Sequence, residues 1–249
     1  MRYYKGHEVS KRNGQLNEWI HAAKRIAFFG GAGVSVASGI PDFRSPGGLY
    51  ETSGSAEVML HVDFMLRKPD LFWPFYRHVF MAPNNGPNLV HRALANIESS
   101  GQWIGVITQN VDGLHQMAGS KRVLELHGST HHFSCMSCKK AFSFAAVEAM
   151  DVVPTCTTCG GHIRPDIVLY GEGLRNDVVE AAIDWIASAD LIMVAGTSLV
   201  VYPAAGFLQA RSDTAKLVLL NRETTSLDHV ADLLIPGDLV ETFDLLGFV

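Results

Sequence analysis

Short apolar runs, each ending on glycine or a small polar side chain, recur along this chain and restrict its fold more than any other feature. Ile26-Ala27-Phe28-Phe29 ends on Gly30-Gly31, and Trp103 to Ile107 ends on Thr108-Gln109-Asn110. Leu191 to Ala195 ends on Gly196-Thr197-Ser198, and Leu217 to Leu220 on Asn221. Apolar runs this short, bounded by turn residues, read as buried strands. Val123 to Leu126, Ile167 to Tyr170 and Leu233 to Ile235 read as further strands. Amphipathic segments lie between them: Gln15 to Arg25, with Leu16, Trp19, Ile20 and Ala23 on one side, then Asn88 to Ser100, Asp177 to Ser188, Ala204 to Gln209 and Leu239 to Leu246. The alternation predicts an α/β fold, a mostly parallel sheet with helices on both faces. In such sheets ligands bind beyond the carboxyl ends of the strands. Asn110, Ser198, and Asn221 with Glu223 all follow a strand there.

The first run is the most informative locally. Gly31, Gly33 and Gly39 follow it and lead into Pro41-Asp42-Phe43-Arg44. Glycines after a strand permit a tight turn and close approach of a ligand to backbone, and a helix start beyond them would offer N–H groups to a diphosphate. Their spacing fits the usual dinucleotide fingerprint poorly. A nucleotide site and a plain turn both remain open on this stretch alone.

A second unit interrupts the alternation. From His131 to about Arg164 long apolar runs give way to short spacings around Cys135-x-x-Cys138 and Cys156-x-x-Cys159. Two such pairs can converge four thiolates on one tetrahedral ion, a closed site of structural type. Zinc is the expected ion, and the ligand set alone also admits iron. Ser45 to Gly54 reads as a loop. Val58 to Met81 is rich in large apolar groups (Phe64, Met65, Leu66, Leu71, Phe72, Trp73, Phe75, Tyr76, Phe80), with Pro69 and Pro74 at helical turns, and reads as a helical core or the wall of a groove.

Charge removes some function classes. Twenty basic against twenty-five acidic residues give a formal net charge of −5, whereas a sequence-independent nucleic-acid binder needs a basic surplus. Lys139, Lys140, His162 and Arg164 in the cysteine unit form no basic stripe with interleaved aromatics, so no direct nucleic-acid binding is expected. Met1 to Arg12 is polar and lacks the apolar centre of a secretory signal. Apolar runs fall well short of the ~18 residues a membrane span needs. The expectation is a cytoplasmic protein without membrane contact, and in a reducing compartment the two cysteine pairs favour metal over disulfides.

In combination these segments resemble the sirtuins, the NAD-dependent protein-lysine deacylases. Gly31-Ala32-Gly33-x-Ser35 through Gly39-Ile40-Pro41-Asp42-Phe43-Arg44 is similar to the family's first motif, and Thr108-Gln109-Asn110-Val111-Asp112-Gly113-Leu114-His115 to its second. Leu126-His127-Gly128 resembles the catalytic-histidine segment, and the four cysteines its structural zinc site. Arg164-Pro165, Tyr170-Gly171-Glu172, Gly196-Thr197-Ser198, and Asn221 with Glu223 and Thr224 complete the pattern. Tyr170 departs from it, since phenylalanine is more usual there.

The resemblance implies a Rossmann-like NAD-binding domain from residues 1–45, 82–130 and 166–249. It also implies a smaller domain from a helical module, 46–81, and a zinc-ribbon module, 131–165. NAD is then a co-substrate, zinc is structural, and the partners are acyl-lysine proteins or peptides bound by a monomer. His127 is the implied general base, histidine having a suitable intrinsic pKa, with His115 a second candidate. Asn110 and Asp112 would organise the nicotinamide-ribose pocket, Asp42 with Ile40 the carboxamide, Gln109 the ribose, and Arg44 beside Phe43 the diphosphate. Gly31, Ala32, Gly33, Gly196, Thr197, Ser198, Asn221, Glu223, Asp238 and Leu239 are the remaining cofactor contacts carried over. Substrate backbone would pair with Val168, Tyr170, Gly171 and Glu172 on one side and Leu199, Val200 and Val201 on the other, a strand-addition mode.

Members that prefer acidic acyl groups carry Tyr-x-x-Arg. Here Tyr76 is followed at that spacing by Val79, and Arg77 falls on another helix face. An unpaired carboxylate in an apolar tunnel costs several kcal/mol, so acetyl or longer neutral acyl groups are expected. Protein ADP-ribosylation on the same fold, a nicotinamide-dependent dehydrogenase and a zinc-ribbon scaffold are the competing readings.

Overall fold

The structure, a computed structural model, describes residues 6–82, 85–200 and 203–248. The chain runs from α1 (Gly6–Ala22) through β1 (Arg25–Gly30) into α2 (Leu49–Ser53), α3 (Ala56–Met59), α4 (Val62–Arg67) and α5 (Pro69–Phe80). It continues with α6 (Leu89–Ser99), β2 (Trp103–Thr108), α7 (Leu114–Met117), β3 (Val123–Glu125), β4 (Gly128–Cys135), β5 (Ala141–Ser143), α8 (Phe144–Glu148) and β6 (Ile163–Ile167). The last stretch holds α9 (Asn176–Ser188), β7 (Leu191–Ala195), β8 (Lys216–Asn221), β9 (Leu233–Pro236) and α10 (Leu239–Leu246).

A six-stranded sheet has the order β3-β2-β1-β7-β8-β9, and all of its pairings are parallel. Period-two alternation divides its apolar side chains between two cores. Ile26 and Phe28 of β1, with Val106, Met193, Val218 and Leu220, pack under Leu16 and Ile20 of α1, Leu94 and Ile97 of α6, and Phe243 of α10. Ala27 and Phe29, with Ile107, Ile192, Val194 and Leu219, face Ala182 and Ile186 of α9 and Phe207 and Leu208. Each fully buried Leu, Ile or Phe contributes about 1.5–3 kcal/mol by leaving water, so the sheet is fastened from both faces. This is the doubly wound arrangement that the alternation of strands and helices predicts. The chain leaves β1 toward β2 on one side and returns to β7 on the other, which makes the carboxyl end of β1 the switch point.

Helix limits follow capping chemistry. Asn88 Oδ1 accepts the Val90 amide at 2.9 Å and His91 Nδ1 accepts the Asn88 amide at 3.2 Å, a reciprocal cap on α6. Asp238 Oδ1 accepts the Val240 and Glu241 amides at 2.8 and 3.2 Å and starts α10. Such caps stabilise by about 1 kcal/mol.

The third core lies outside the six-stranded sheet. Phe72, Trp73 and Tyr76 of α5 join Phe133, Cys135, Cys156, Ile163, Ile167 and Leu169. Trp73 stacks on Phe133 with centroids 6.2 Å apart. The helical stretch and the cysteine unit therefore share one core. Arg77 reinforces it: its guanidinium donates to the carbonyls of Val147 and Asp151, each at 2.9 Å. Leu66 and Leu71 stay half exposed, at 51% and 50%, so not every apolar residue of that stretch joins the core.

Three sequence expectations change. Ile167 to Tyr170 does not enter the main sheet. Ile163 and Ile167 point into the third core, so β6 pairs antiparallel with β4 in a three-stranded sheet, β5-β4-β6. Tyr170 bridges instead to His61. The loop expected at Ser45 to Gly54 contains α2, nucleated where Leu49, 6% exposed, reaches the third core. The Ala204 to Gln209 helix is a 3-10 helix, Ala204–Ala210.

Candidate active site

Three strand ends meet at the switch point. The Gly31 amide donates to the Ala195 carbonyl at 3.1 Å, the Gly33 amide to Gly196 at 2.9 Å, and the Gln109 amide to Gly30 at 3.0 Å. This convergence explains two glycines. A Cβ on Gly33 would lie 2.7 Å from the Gly196 Cα, and Gly196, at φ +60°, would place its own Cβ 2.5 Å from the Val34 nitrogen. Side chains there would force the turn after β1 away from the turn after β7. Ala32 opens the 3-10 turn Ala32–Val34 between them.

Polar side chains link the strand ends. Gln109 Nε2 donates to Thr197 Oγ1 at 3.0 Å, and Asn221 brackets Thr197, accepting its amide at 3.2 Å and donating to its carbonyl at 2.8 Å. Asn110 Nδ2 donates to Ser35 Oγ at 3.0 Å, and Ser35 Oγ donates to Asp112 Oδ2 at 2.6 Å. The other oxygen of Asp112 accepts the Leu114 amide at 3.0 Å and caps α7. Ser35, 1% exposed, is thus the relay between Asn110 and Asp112. It was absent from the expected site residues, although its place in the glycine motif could have marked it.

His127 lies just before β4. Its Nδ1 is 2.8 Å from the Gln109 carbonyl oxygen. A carbonyl only accepts, so Nδ1 carries the proton and Nε2 keeps its lone pair. Burial holds the imidazole pKa below its usual value, partly opposed by the Gln109 carbonyl. The ring is therefore neutral at pH 7 with its basic nitrogen available. His115 is placed differently: it is 1% exposed, 4.7 Å from the His91 ring and 6.0 Å from Phe28, packed inside the core side of α7. Burial, then the neighbouring His91, keeps it uncharged.

The remaining expected residues occupy a wider area. Asp42 Oδ1 accepts the Ser45 amide at 2.8 Å and Oδ2 accepts Ser45 Oγ at 2.6 Å, so its carboxylate shapes the loop after Ile40. Phe43 packs on Tyr50 at 5.6 Å, and the Arg44 guanidinium lies 5.4 Å over the same ring. Ser198 and Glu223 are exposed. Asp238, capping α10, also pairs with Arg222, while Leu239 packs on the first core. Glu172 binds Arg164 through two bonds, 2.6 and 2.7 Å, and accepts the Leu169 amide at 3.0 Å. Burial raises its pKa, but those bonds outweigh it and hold the carboxyl below its usual range. The Val168 amide donates to the His127 carbonyl at 2.8 Å. Gly171 turns at φ +89°, where a Cβ would meet the His61 ring at 2.8 Å. Leu199, 4% exposed, adopts φ +56°, a strained conformation for a side chain of that size, beside the exposed Val200. Val201 lies outside the described residues.

The four cysteines form one cluster. Cys135 and Cys159 sulfurs are 3.5 Å apart, Cys138 and Cys156 sulfurs 3.7 Å, and all four lie within 4.8 Å of one another. Zinc–sulfur bonds of about 2.3 Å in a tetrahedron require sulfurs about 3.8 Å apart, whereas a disulfide needs about 2.05 Å. The cysteines are free, and the cluster fits a structural zinc ion.

Known proteins are similar to this chain in sequence and fold. An NAD-dependent protein deacetylase of Cutibacterium acnes is 47% identical over 232 residues, covering 92% of this chain and 94% of its own. A solved Sir2 variant with a deacetylated p53 peptide and 3'-O-acetyl ADP ribose is 36% identical, covers 96% of this chain and 99% of its own, and superposes with a TM-score of 0.88. A Sir2 complex with a p53 peptide and NAD+ is also 36% identical, with 92% and 95% covered and a TM-score of 0.81. The Sir2 family model matches residues 31–203, from the glycine turn through the cysteine cluster to the segment after β7. Sequence, fold and family model agree, and the chain belongs to the Sir2 family.

Proposed function

We propose that the protein is an NAD-dependent protein-lysine deacetylase that cleaves NAD and transfers the acetyl group of lysine to ADP-ribose. The products are free lysine, nicotinamide and O-acetyl-ADP-ribose. One observation carries the chemistry: the His127 Nδ1 bond to the Gln109 carbonyl, 2.8 Å, which leaves Nε2 as the neutral base of an oriented ring at the end of β2. In the reaction the acyl oxygen attacks the anomeric carbon of the nicotinamide ribose as nicotinamide departs. A weak nucleophile needs alignment and exclusion of water for this step. His127 then takes a proton from a ribose hydroxyl, whose oxygen attacks the acyl carbon. The bond from that carbon to the lysine nitrogen breaks and lysine leaves as the free amine. Water adds to the acyl carbon, so the original acyl oxygen stays on the anomeric carbon.

The dinucleotide is assigned to the turns at Gly31, Ala32, Gly33 and Gly196 to Ser198, with Gln109, Asn221 and Glu223 around the adenosine and riboses. Asn110 and Asp112, joined through Ser35, order the nicotinamide ribose. Ile40, Asp42, Phe43 and Arg44 form the loop over the reacting end. Because Asp238 caps α10 and Leu239 packs on the core, their part in binding is to support the neighbouring backbone. The acyl-lysine peptide is assigned to the segments Val168 to Glu172 and Leu199 to Val201. Tyr170 already pairs its amide with Leu60 and its carbonyl with Val62, and Glu172 would act through its carbonyl, because Arg164 holds its carboxylate and its amide donates to Leu169.

The division into residues 1–45, 82–130 and 166–249 against 46–81 and 131–165 is supported by the separate third core, although the three-stranded sheet extends from Gly128 to Ile167. Arg77 is committed to the carbonyls of the cysteine module and Val79 packs on the third core, which favours neutral acyl groups over succinyl. Among the described residues no helix is long and apolar enough to cross a membrane. The net charge of −5 favours a protein that does not bind nucleic acid, and a cytoplasmic monomer is the accompanying proposal.

Incubation with NAD and an acetyl-lysine peptide tests the proposal. Mass spectrometry should find nicotinamide and O-acetyl-ADP-ribose, and neither should form with His127→Ala. Transfer of ADP-ribose to protein without deacetylation would overturn it, as would reduction of NAD read at about 340 nm, the nicotinamide signature of hydride chemistry.

A further inference from the structure

The loop Asp42 to Tyr50 carries the residues assigned to the reacting end of NAD, yet it is mostly self-supported. The Leu49 amide donates to the Asp42 carbonyl at 2.8 Å, the Tyr50 amide to Phe43 at 3.1 Å, and the Gly48 amide to Ser45 at 2.7 Å. Asp42 binds Ser45 within the same loop. Leu49 anchors the loop in the third core, and Tyr50 carries it on toward Tyr170. The Tyr50 hydroxyl forms a hydrogen bond with the hydroxyl of Tyr170.

Tyr170 is well anchored. Its amide donates to the Leu60 carbonyl at 2.9 Å and its carbonyl accepts the Val62 amide at 2.9 Å. Gly171 then turns sharply against His61. The backbone of Tyr170 is therefore held within the segment assigned to substrate backbone, and its exposed ring reaches Tyr50 through the hydroxyl. Tyr50, in turn, is in contact with Phe43 at 5.6 Å and Arg44 at 5.4 Å. A continuous physical path thus runs from the peptide segment through two hydroxyls to the arginine and phenylalanine of the dinucleotide loop. Phenylalanine at either position would keep the ring and break the path. Burial, then the bond to Tyr170, raises the Tyr50 pKa above its ordinary value of about 10, so the phenol stays protonated across the physiological range.

We propose that the Tyr50–Tyr170 hydroxyl pair is a clasp that couples the dinucleotide loop to the peptide segment, so that binding on either side strengthens binding on the other. The proposal rests on the assignment of NAD and acyl-lysine peptide made above. Tyr50 and Tyr170 act as positioning residues: one fixes the loop, the other supplies the post. Coupling of this kind is reciprocal, the factor by which peptide tightens NAD equalling the factor by which NAD tightens peptide.

Calorimetric titration tests it, using carba-NAD, a non-cleavable NAD analogue, with and without an acetyl-lysine peptide. The wild-type protein should bind the analogue more tightly when peptide is present. Tyr50→Phe and Tyr170→Phe should each reduce that enhancement by about three- to tenfold, the range of a single net hydrogen bond. The double variant should lose no more than the larger single loss, because both changes remove the same bond. General damage would weaken both affinities and leave their ratio unchanged. An unaltered enhancement in both single variants, or losses that multiply in the double variant, would overturn the clasp. Binding of both ligands without mutual enhancement in the wild-type protein would overturn the clasp while leaving the deacetylase reading intact. Failure to bind either ligand would overturn both.

Discussion

At His127 the backbone decides which nitrogen is the base. The Gln109 carbonyl accepts the hydrogen bond from Nδ1–H, and burial lowers the imidazole pKa below the usual value of about 6.5. As the proposed base, His127 works in its neutral form, so kcat/KM should remain level as pH falls to about 6.5 and decline only below it. A pH–rate profile whose acid limb lies above that value would contradict the assignment. Ser35 is the second residue on which the proposed chemistry depends. Ser35→Ala strands the Asn110 amide and removes a bond to the Asp112 carboxylate. Bonds to charged groups contribute about 1.5–3 kcal/mol, so kcat/KM should drop by about ten- to hundredfold, with the melting temperature as the control for folding. His127 is visible in the sequence because its Leu-His-Gly segment resembles a known motif. Ser35 is harder to see, since a serine in a glycine turn is chemically ordinary until Asn110 and Asp112 are brought to it by the ends of other elements. Asp42, Asp238 and Glu172 illustrate the reverse difficulty. Residue type offers each carboxylate as a ligand, but only the fold reveals that a loop, a helix start and Arg164 already use them.

At the level of elements, the cysteine pairs give the clearest expectation. Cys135 and Cys156 are buried in the core that α5 also fills. Stripping the metal at neutral pH should therefore unfold the three-stranded sheet and loosen Phe72, Trp73 and Tyr76 together. Tryptophan fluorescence and near-ultraviolet circular dichroism would read the change, and zinc should restore the signal. An unchanged spectrum after complete metal removal would contradict the shared core. The contact between α6 and α7 gives a pH prediction. His91 has its pKa lowered to about 4, chiefly by burial, with Asp112 opposing the shift and Arg92 adding to it. Between about 6.5, the unfolded value, and about 4 the unfolded chain binds more protons, so stability should fall as pH drops through that window. Denaturant titrations should show the slope, and His91→Gln should reduce it by up to one proton while keeping an acceptor for the Asn88 amide. Most elements are legible from apolar period and capping residues. The segment at Ile167 to Tyr170 is not, because a short apolar run fits either sheet, and the third core that claims Ile163 and Ile167 is assembled from α5 and β4, distant in sequence.

For the whole molecule, the parallel order β3-β2-β1-β7-β8-β9 places the glycine turn, Gln109-Asn110 and Gly196-Thr197 at one switch point. The alternation of strands and helices makes the layered fold legible, and the polar residues after each strand locate the site. Neither reveals how the turns interlock, which depends on backbone passing within van der Waals contact at Gly33 and Gly196. The same assembly supports the proposed chemistry, in which NAD is held to be cleaved and the oxygen of the substrate amide is the nucleophile. Oxygen tracing tests that claim most directly. An acetyl-lysine peptide labelled with heavy oxygen at the acetyl carbonyl should be turned over with NAD in ordinary water. The account predicts that the heavy oxygen appears on the anomeric carbon of the O-acetyl-ADP-ribose, carried there by the attacking acyl oxygen. Heavy oxygen recovered in free acetate, with no label in ADP-ribose, would mean direct hydrolysis of the amide and would contradict it.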